Sequence, residues 1–175
     1  MSNRADNFRE IVLRHLGPPV NIEGIIRSLG VSVDKKAKLD KEISGQIERL
    51  ENQQYKISVN SKDHYFRQRF TLAHELGHYL LHSHLIGQGL DDDKAYRSVP
   101  DGKFYNQNIG SREETEANSF AARLLMPKSK LMIEARPGRE ISDLAKAFQV
   151  SPAAMKIRLT VLGIEHDEEY VVATP

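Results

Sequence analysis

Residues 70–82 read Phe70-Thr71-Leu72-Ala73-His74-Glu75-Leu76-Gly77-His78-Tyr79-Leu80-Leu81-His82, and their apolar spacing predicts a helix from about 66 to 82. Within it lies the motif H-E-x-x-H. Positions four apart fall on one helix face, about 6 Å apart, so His74 and His78 can each point a ring nitrogen at one metal ion. Glu75 then lies beside the ion, where it can accept a proton from a water molecule. This arrangement is typical of zinc peptidases.

The composition bounds the class of protein and the class of metal site. A chain of 175 residues with 39% hydrophobic and 28% charged residues suits one globular domain, or one domain with a small appendage. The formal net charge of +1 gives no sign of the strong positive electrostatic field that attracts nucleic acids. There are no cysteines, which excludes disulfides and a thiolate site, so His, Asp or Glu must hold any metal.

The sequence also gives an expectation about location. Its polar first residues lack an apolar signal segment, and no apolar run approaches the length that spans a membrane. We therefore expect a cytoplasmic protein without membrane contact. Nothing in the sequence predicts its oligomeric state.

The order of elements predicts an α+β fold with a small antiparallel sheet on a mainly helical core. Two helical patterns come first. Alternating segments at 43–47 and 55–59 then predict a hairpin with its turn at 51–54, followed by the motif helix. After the weakly periodic stretch 87–110, Ser111 begins another helix with Glu114 placed as in a capping box. Two further helices follow, at 141–148 and 152–162.

A catalytic zinc site needs a third protein ligand and an open position. His82 lies about 12 Å from His74 by helical rise and is too far along the same helix. His84 has the spacing of H-E-x-x-H-x-x-G-x-x-H, but that pattern needs glycine at position 81, where this chain has Leu. The remaining candidates are carboxylates of the later helix. The buried apolar stripe of that helix does not decide between Glu113 and Glu114 as the third ligand, and it favours both over Glu116.

Two blocks of sequence carry a resemblance to a known family. Arg67-Gln68-Arg69-Phe70-Thr71-Leu72-Ala73-His74-Glu75-Leu76-Gly77-His78, and then Glu114-Thr115-Glu116-Ala117-Asn118-Ser119-Phe120-Ala121-Ala122-Arg123-Leu124-Leu125-Met126-Pro127, resemble the ImmA/IrrE family of metallo-endopeptidases. The resemblance spans roughly residues 5–165 and is weakest at 87–110. It implies a zincin-like core at 1–135 and a helix-turn-helix-like extension at 136–175, packed on the core.

The resemblance also assigns the site. The family's third ligand is a Glu four residues before the Asn of the A-N-x-F-A block, which corresponds to Glu114. The implied metal ligands are thus His74, His78 and Glu114, with Glu75 as the catalytic base and Asn118 orienting a ligand. The implied cofactor is Zn²⁺, although the same ligands accept Mn²⁺. The residue that stabilises the oxyanion stays open among Tyr96, Tyr105 and His82.

The function implied is a zinc-dependent endopeptidase that cuts a specific protein substrate. Family members act on helix-turn-helix (Xre-type) repressors encoded nearby, and so regulate mobile-element, phage or stress-response genes. Residues 141–159 themselves resemble a helix-turn-helix, but the second helix offers only Lys156 and Arg158 to DNA. We therefore expect packing or repressor docking there, without direct DNA binding. The alternative is a non-catalytic DNA- or repressor-binding regulator, or a toxin–antitoxin component, that keeps the metal site.

Overall fold

The computed structural model describes residues 2–86, 96–98, 111–136 and 138–165. Within these ranges, seven α-helices and one four-stranded sheet form an α+β fold, which confirms the predicted class. The helices are α1 (Ser2–His15), α2 (Ile22–Ser28), α3 (Tyr65–Leu81), α4 (Ser111–Leu125), α5 (Lys128–Glu134), α6 (Ile141–Phe148) and α7 (Pro152–Leu162). The strands are β1 (Ser32–Ala37), β2 (Gly45–Arg49), β3 (Tyr55–Asn60) and β4 (Tyr96–Ser98). No helix in these ranges combines the length and apolar character needed to cross a bilayer.

The sheet has the strand order β1-β3-β2-β4. Strands β2 and β3 form the predicted antiparallel hairpin, in which Ile47 faces Ile57 and both side chains are fully buried. Strand β1, however, runs parallel to β3, so the sheet is mixed rather than wholly antiparallel. Strand β3 lies between β1 and β2, and it runs in the same direction as β1. Alternation along each strand reveals burial but not this order.

Helix α3 packs closely on α4, and a glycine permits the contact. A Cβ atom added to Gly77 would lie 3.2 Å from Cα of Ala117 and 3.2 Å from a ring carbon of Phe120. Even a Cβ atom would therefore require the facing atoms of α4 to shift by a few tenths of an ångström, and a branched side chain would overpack the contact. Because Glu114 lies about one turn before Ala117, this contact also fixes the distance between Glu114 and the histidines of α3.

Two buried arginines tie the C-terminal helices to the rest of the chain. Arg69 of α3 donates to the carbonyl oxygens of Val20 (2.9 Å) and of Gln149, between α6 and α7 (3.1 Å). Arg158 of α7 donates to the carbonyl of Met126 at 3.1 Å. The apolar residues of α6 and α7 belong to the same buried cluster as those of α3 and α4. The division at residue 135 stays a prediction.

We predict that Gly77→Val lowers the free energy of unfolding by about 1–3 kcal/mol, because the added methyl groups overpack the contact between α3 and α4. Urea denaturation followed by circular dichroism measures the change. The matched control is Ser119→Val on the exposed side of α4, which should stay within about 0.5 kcal/mol of the wild type. Equal stability of the two variants would show that the helices do not meet tightly at Gly77.

Candidate metal centre

Three side chains from two helices converge at one point. His74 and His78 come from α3 and Glu114 comes from the first turn of α4. One carboxylate oxygen of Glu114 lies 3.2 Å from Nε2 of His74, and the other lies 3.2 Å from Nε2 of His78. The two Nε2 atoms are 3.0 Å apart. Within the described residues, these three form a group of potential ligands whose donor atoms all lie within 4.8 Å of one another.

The spacing of these donors fits a tetrahedral metal ion. With metal–nitrogen distances of 2.0–2.1 Å, two ligands of a tetrahedral zinc ion lie roughly 3.3 Å apart. The observed separations of 3.0–3.2 Å are close to this value. Two imidazoles and one carboxylate are also a known catalytic zinc set, and they leave one tetrahedral position open. The residues present therefore fit a divalent ion.

The outward nitrogens of both histidines are hydrogen-bonded. Nδ1 of His74 lies 2.9 Å from Oδ1 of Asn118, an oxygen that can only accept, so His74 carries its proton on Nδ1. Nδ1 of His78 lies 3.1 Å from Nδ1 of His82. Both rings thus turn Nε2 toward Glu114. Asn118 contacts a residue of the cluster, as the sequence predicts. Its role in orienting a metal ligand stays a prediction.

Charge coupling within the cluster shifts its pKa values. Burial alone would raise the pKa of Glu114, but its close contacts with His74 and then His78 outweigh burial and lower that pKa to about 2. Burial lowers the pKa of His74, yet Glu114 and the nearby Glu75 outweigh burial and raise it. The pKa of His78 is lowered, first by burial and then by His74. Without a metal, the cluster therefore favours a proton on His74 beside an ionised Glu114.

Glu75 lies next to the cluster without joining it. Its side chain is fully buried on α3. Strand β2 passes close by, since a Cβ added to Gly45 would lie 3.6 Å from Oε1 of Glu75 and only 2.2 Å from a methyl carbon of Thr71. Gly45 thereby lets the strand approach the helix where Glu75 lies. A carboxylate beside a metal site is suited to moving protons, and this role for Glu75 stays a prediction.

The other candidates from the sequence lie elsewhere. His84 is exposed in a short 3-10 turn and is not part of the cluster. Glu113 is not part of it either. The predicted capping box is wrong: Ser111 lies inside α4, and both oxygens of Glu114 contact histidines. Tyr105 and the side chain of Tyr96 lie outside what the structure describes.

A chain of polar contacts leads from His78 to the surface, which the sequence did not predict. His82 contacts His78 through Nδ1, and its Nε2 lies 3.1 Å from Oε2 of Glu116. Arg112 donates to the other oxygen of Glu116 at 2.8 Å. Arg112 and then His82 hold the pKa of Glu116 below its usual value. Because both ring nitrogens of His82 are engaged, His82 offers no free N–H to an oxyanion. The signal in the sequence was its position, four residues after His78.

We predict a pH signature in the metal-free protein. Glu114 has a lowered folded pKa, so its stabilisation is present above its unfolded pKa of about 4.5 and is lost as pH falls toward 2. His74 has a raised folded pKa, so its stabilisation is present below about 6.5 and is lost as pH rises through the folded pKa. The free energy of unfolding of the metal-free wild type should exceed that of Glu114→Gln by on the order of 2 kcal/mol, and this difference should be largest between about pH 4.5 and 6.5.

Urea unfolding of chelator-treated protein across this pH range measures the difference. Glu113→Gln, one residue earlier on α4, is the matched control and should follow the wild type. A constant difference between wild type and Glu114→Gln from pH 2 to 8 would contradict the coupling of Glu114 to the histidines.

Comparisons with known proteins agree with this geometry. Residues 28–160 match the model of a peptidase family described as the IrrE N-terminal-like domain. The chain is also 35% identical, over 108 residues, to the radiation response metalloprotease IrrE of Deinococcus radiodurans. That match covers 59% of this chain and 30% of the relative, so the chain spans under a third of the relative's length. The family match covers most of the chain and includes all three clustered residues, and the chain therefore belongs to the ImmA/IrrE family of metallopeptidases.

Proposed function

We propose that this chain is a zinc-dependent endopeptidase that hydrolyses a peptide bond in a specific protein substrate. The observation that carries the proposal is the tetrahedral spacing of His74, His78 and Glu114, with donors 3.0–3.2 Å apart. Two imidazoles and one carboxylate suit zinc. Manganese can occupy the same donors, so metal analysis of the purified protein decides between them.

The mechanism assigns a separate task to each residue. An ion bound by His74, His78 and Glu114 would supply Lewis acidity, which lowers the pKa of a water molecule toward about 7 and polarises the substrate carbonyl. The carboxylate of Glu75 accepts one proton from the attacking water. It then gives that proton to the nitrogen of the departing amine, so the base is regenerated when the C–N bond breaks. Asn118 holds the ring of His74 through Nδ1.

A helix-turn-helix repressor, encoded nearby, is the substrate that we propose. Family membership supports this class of target. The relative's name refers to a radiation response, and we extend the idea of stress control to this chain as part of the proposal. Cleavage of the repressor would release the genes that it blocks, whether these belong to a mobile element, a phage or a stress response.

The C-terminal helix pair supports repressor docking better than DNA reading. Arg158 is buried and donates to the carbonyl of Met126, which leaves Lys156 as the basic side chain of α7 on the exposed side. A helix that reads DNA presents several polar side chains to base edges. On α7, in contrast, Ile157 and Val161 are 65% and 71% exposed, one helical turn apart. We propose that this apolar pair contacts the repressor.

We predict that Glu75→Gln keeps metal binding but slows repressor cleavage by at least about 100-fold, because the amide cannot accept the proton from water. The assay uses the metal-loaded chain, a purified repressor encoded by a neighbouring gene, and mass spectrometry to locate the cut. His74→Ala is the comparison variant and should lose both metal and cleavage. Cleavage that persists in Glu75→Gln would remove Glu75 as the base.

We predict that Ile157→Asp raises the KM for repressor cleavage about tenfold or more with little change in kcat, because it affects docking rather than chemistry. Leu13→Asp is the matched control, since Leu13 is an exposed apolar residue of α1. Equal kinetics in both variants would contradict docking on α7.

The rival function predicts a different result. A DNA-binding regulator would slow the migration of a specific DNA fragment in a gel-shift assay near physiological salt, and it would not cut the repressor. Such slowed migration, together with an uncut repressor, would favour the non-catalytic regulator.

A further inference from the structure

We infer that His82 and Glu116 are positioning residues that hold the ring of His78 in the tautomer and orientation needed to bind a divalent ion. The inference rests on the proposed metal centre and not on peptide cleavage. It starts from a continuous row of contacts: His78 Nδ1 to His82 Nδ1 (3.1 Å), and His82 Nε2 to Glu116 Oε2 (3.1 Å). We call these three residues the relay.

The hydrogen-bonding roles along the relay follow from its outer end. The carboxylate of Glu116 can only accept, so His82 carries its proton on Nε2 and donates it to Oε2. Nδ1 of a neutral His82 then has a lone pair and accepts. Its partner, Nδ1 of His78, must therefore carry a proton. This leaves a lone pair on Nε2 of His78, which is the atom that faces Glu114 and His74. The surface carboxylate thereby selects the tautomer that can bind a metal.

The surroundings keep the relay in place. The side chain of His82 is buried at the end of α3, where its backbone N–H donates to the carbonyl of His78 at 2.8 Å. Helical spacing of four residues sets its ring beside that of His78. Glu116 is 42% exposed and is held on its other oxygen by Arg112. One end of the relay is thus fixed inside the protein, and the other can be altered at the surface without disturbing the core.

The two ligand histidines are supported differently. His74 donates directly to an amide oxygen of Asn118, whereas His78 reaches a carboxylate only through a second imidazole. A carboxylate hydrogen-bonded to a ligating histidine makes the ring a stronger ligand, and loss of such support typically weakens metal affinity 10- to 100-fold. Through His82, Glu116 can provide this support from a position outside the group of ligands.

The test measures metal affinity of the metal-free protein, by zinc competition with a chromophoric chelator and by the absorption spectrum of bound Co²⁺. His82→Leu removes both contacts of the ring and should weaken zinc binding 10- to 100-fold. The Asn side chain of His82→Asn has nearly the same shape as the Leu side chain of His82→Leu, but it places a carbonyl oxygen near the former position of Nδ1. It should recover part of the affinity, since it can again accept from His78. Circular dichroism of the metal-free variants checks that both are folded.

Glu116→Ala keeps the proposal testable if changes at His82 prevent folding. It should weaken zinc binding and alter the Co²⁺ spectrum. Glu113→Ala, which removes a carboxylate from the same turn of α4, is the matched control for general loss of negative charge. If Glu113→Ala and Glu116→Ala weaken binding equally, the effect of Glu116 is through-space attraction, and the relay is overturned.

A double-mutant cycle gives the sharpest result. If Glu116 acts through His82, Glu116→Ala has no further effect in the His82→Leu background. Additive losses would overturn the inference, as would affinities of His82→Leu and Glu116→Ala within twofold of the wild type. A wild-type protein that binds neither zinc nor cobalt would overturn the metal centre together with the relay. Zinc binding that survives in the wild type but does not depend on the relay would overturn this inference alone.

Discussion

The carboxylate of Glu114 contacts both histidines of α3, and the rest of the site depends on this contact between helices. Its two oxygens each lie 3.2 Å from one Nε2 atom, so each histidine has an oxygen of Glu114 at close to the separation of tetrahedral ligands. The carboxylate can reach them only because α3 and α4 approach closely at Gly77. A small residue near the end of α3 therefore affects the geometry of the charged cluster beside it.

The same contact explains why local rules fail at the start of α4. Ser111 and Glu114 have the spacing of a capping box, in which the glutamate would turn back to the helix start. Here Glu114 instead contacts a pair of imidazoles, and these contacts offset the cost of burying its charge. A local signal was overridden by an interaction between distant parts of the chain, which is expected where function requires it.

The sequence predicted those features that depend on helical spacing. His74 and His78 share a face because they are four residues apart, and the hairpin of β2 and β3 follows from alternation and its turn. Periodicity could not separate Glu113 from Glu114, because that choice depends on how α4 is rotated against α3. The resemblance to the family identified Glu114. The parallel pairing of β1 with β3 was not predicted, since strand order is a long-range property.

The relay shows a different limit of sequence reasoning. His82 was considered as a ligand and as an oxyanion donor, and it was set aside as a ligand because helical rise carries it away from His74. Helical rise does not exclude a contact with His78, which is one turn closer. Whether Glu116 could meet His82 depended on the packing of two helices that residues 82–110 separate in the chain. Spacing within one helix carries no information about this packing.

The position of the donors on two separate helices has a thermodynamic consequence. An ion shared by His74, His78 and Glu114 would close a loop that contains residues 79–113, and it would bind the folded chain far better than the unfolded one. The folding equilibrium would then depend on the concentration of free ion. Above the dissociation constant, each tenfold rise would add about 1.4 kcal/mol to the free energy of unfolding. Scarcity of the ion would thus leave the chain less stable as well as without its Lewis acid.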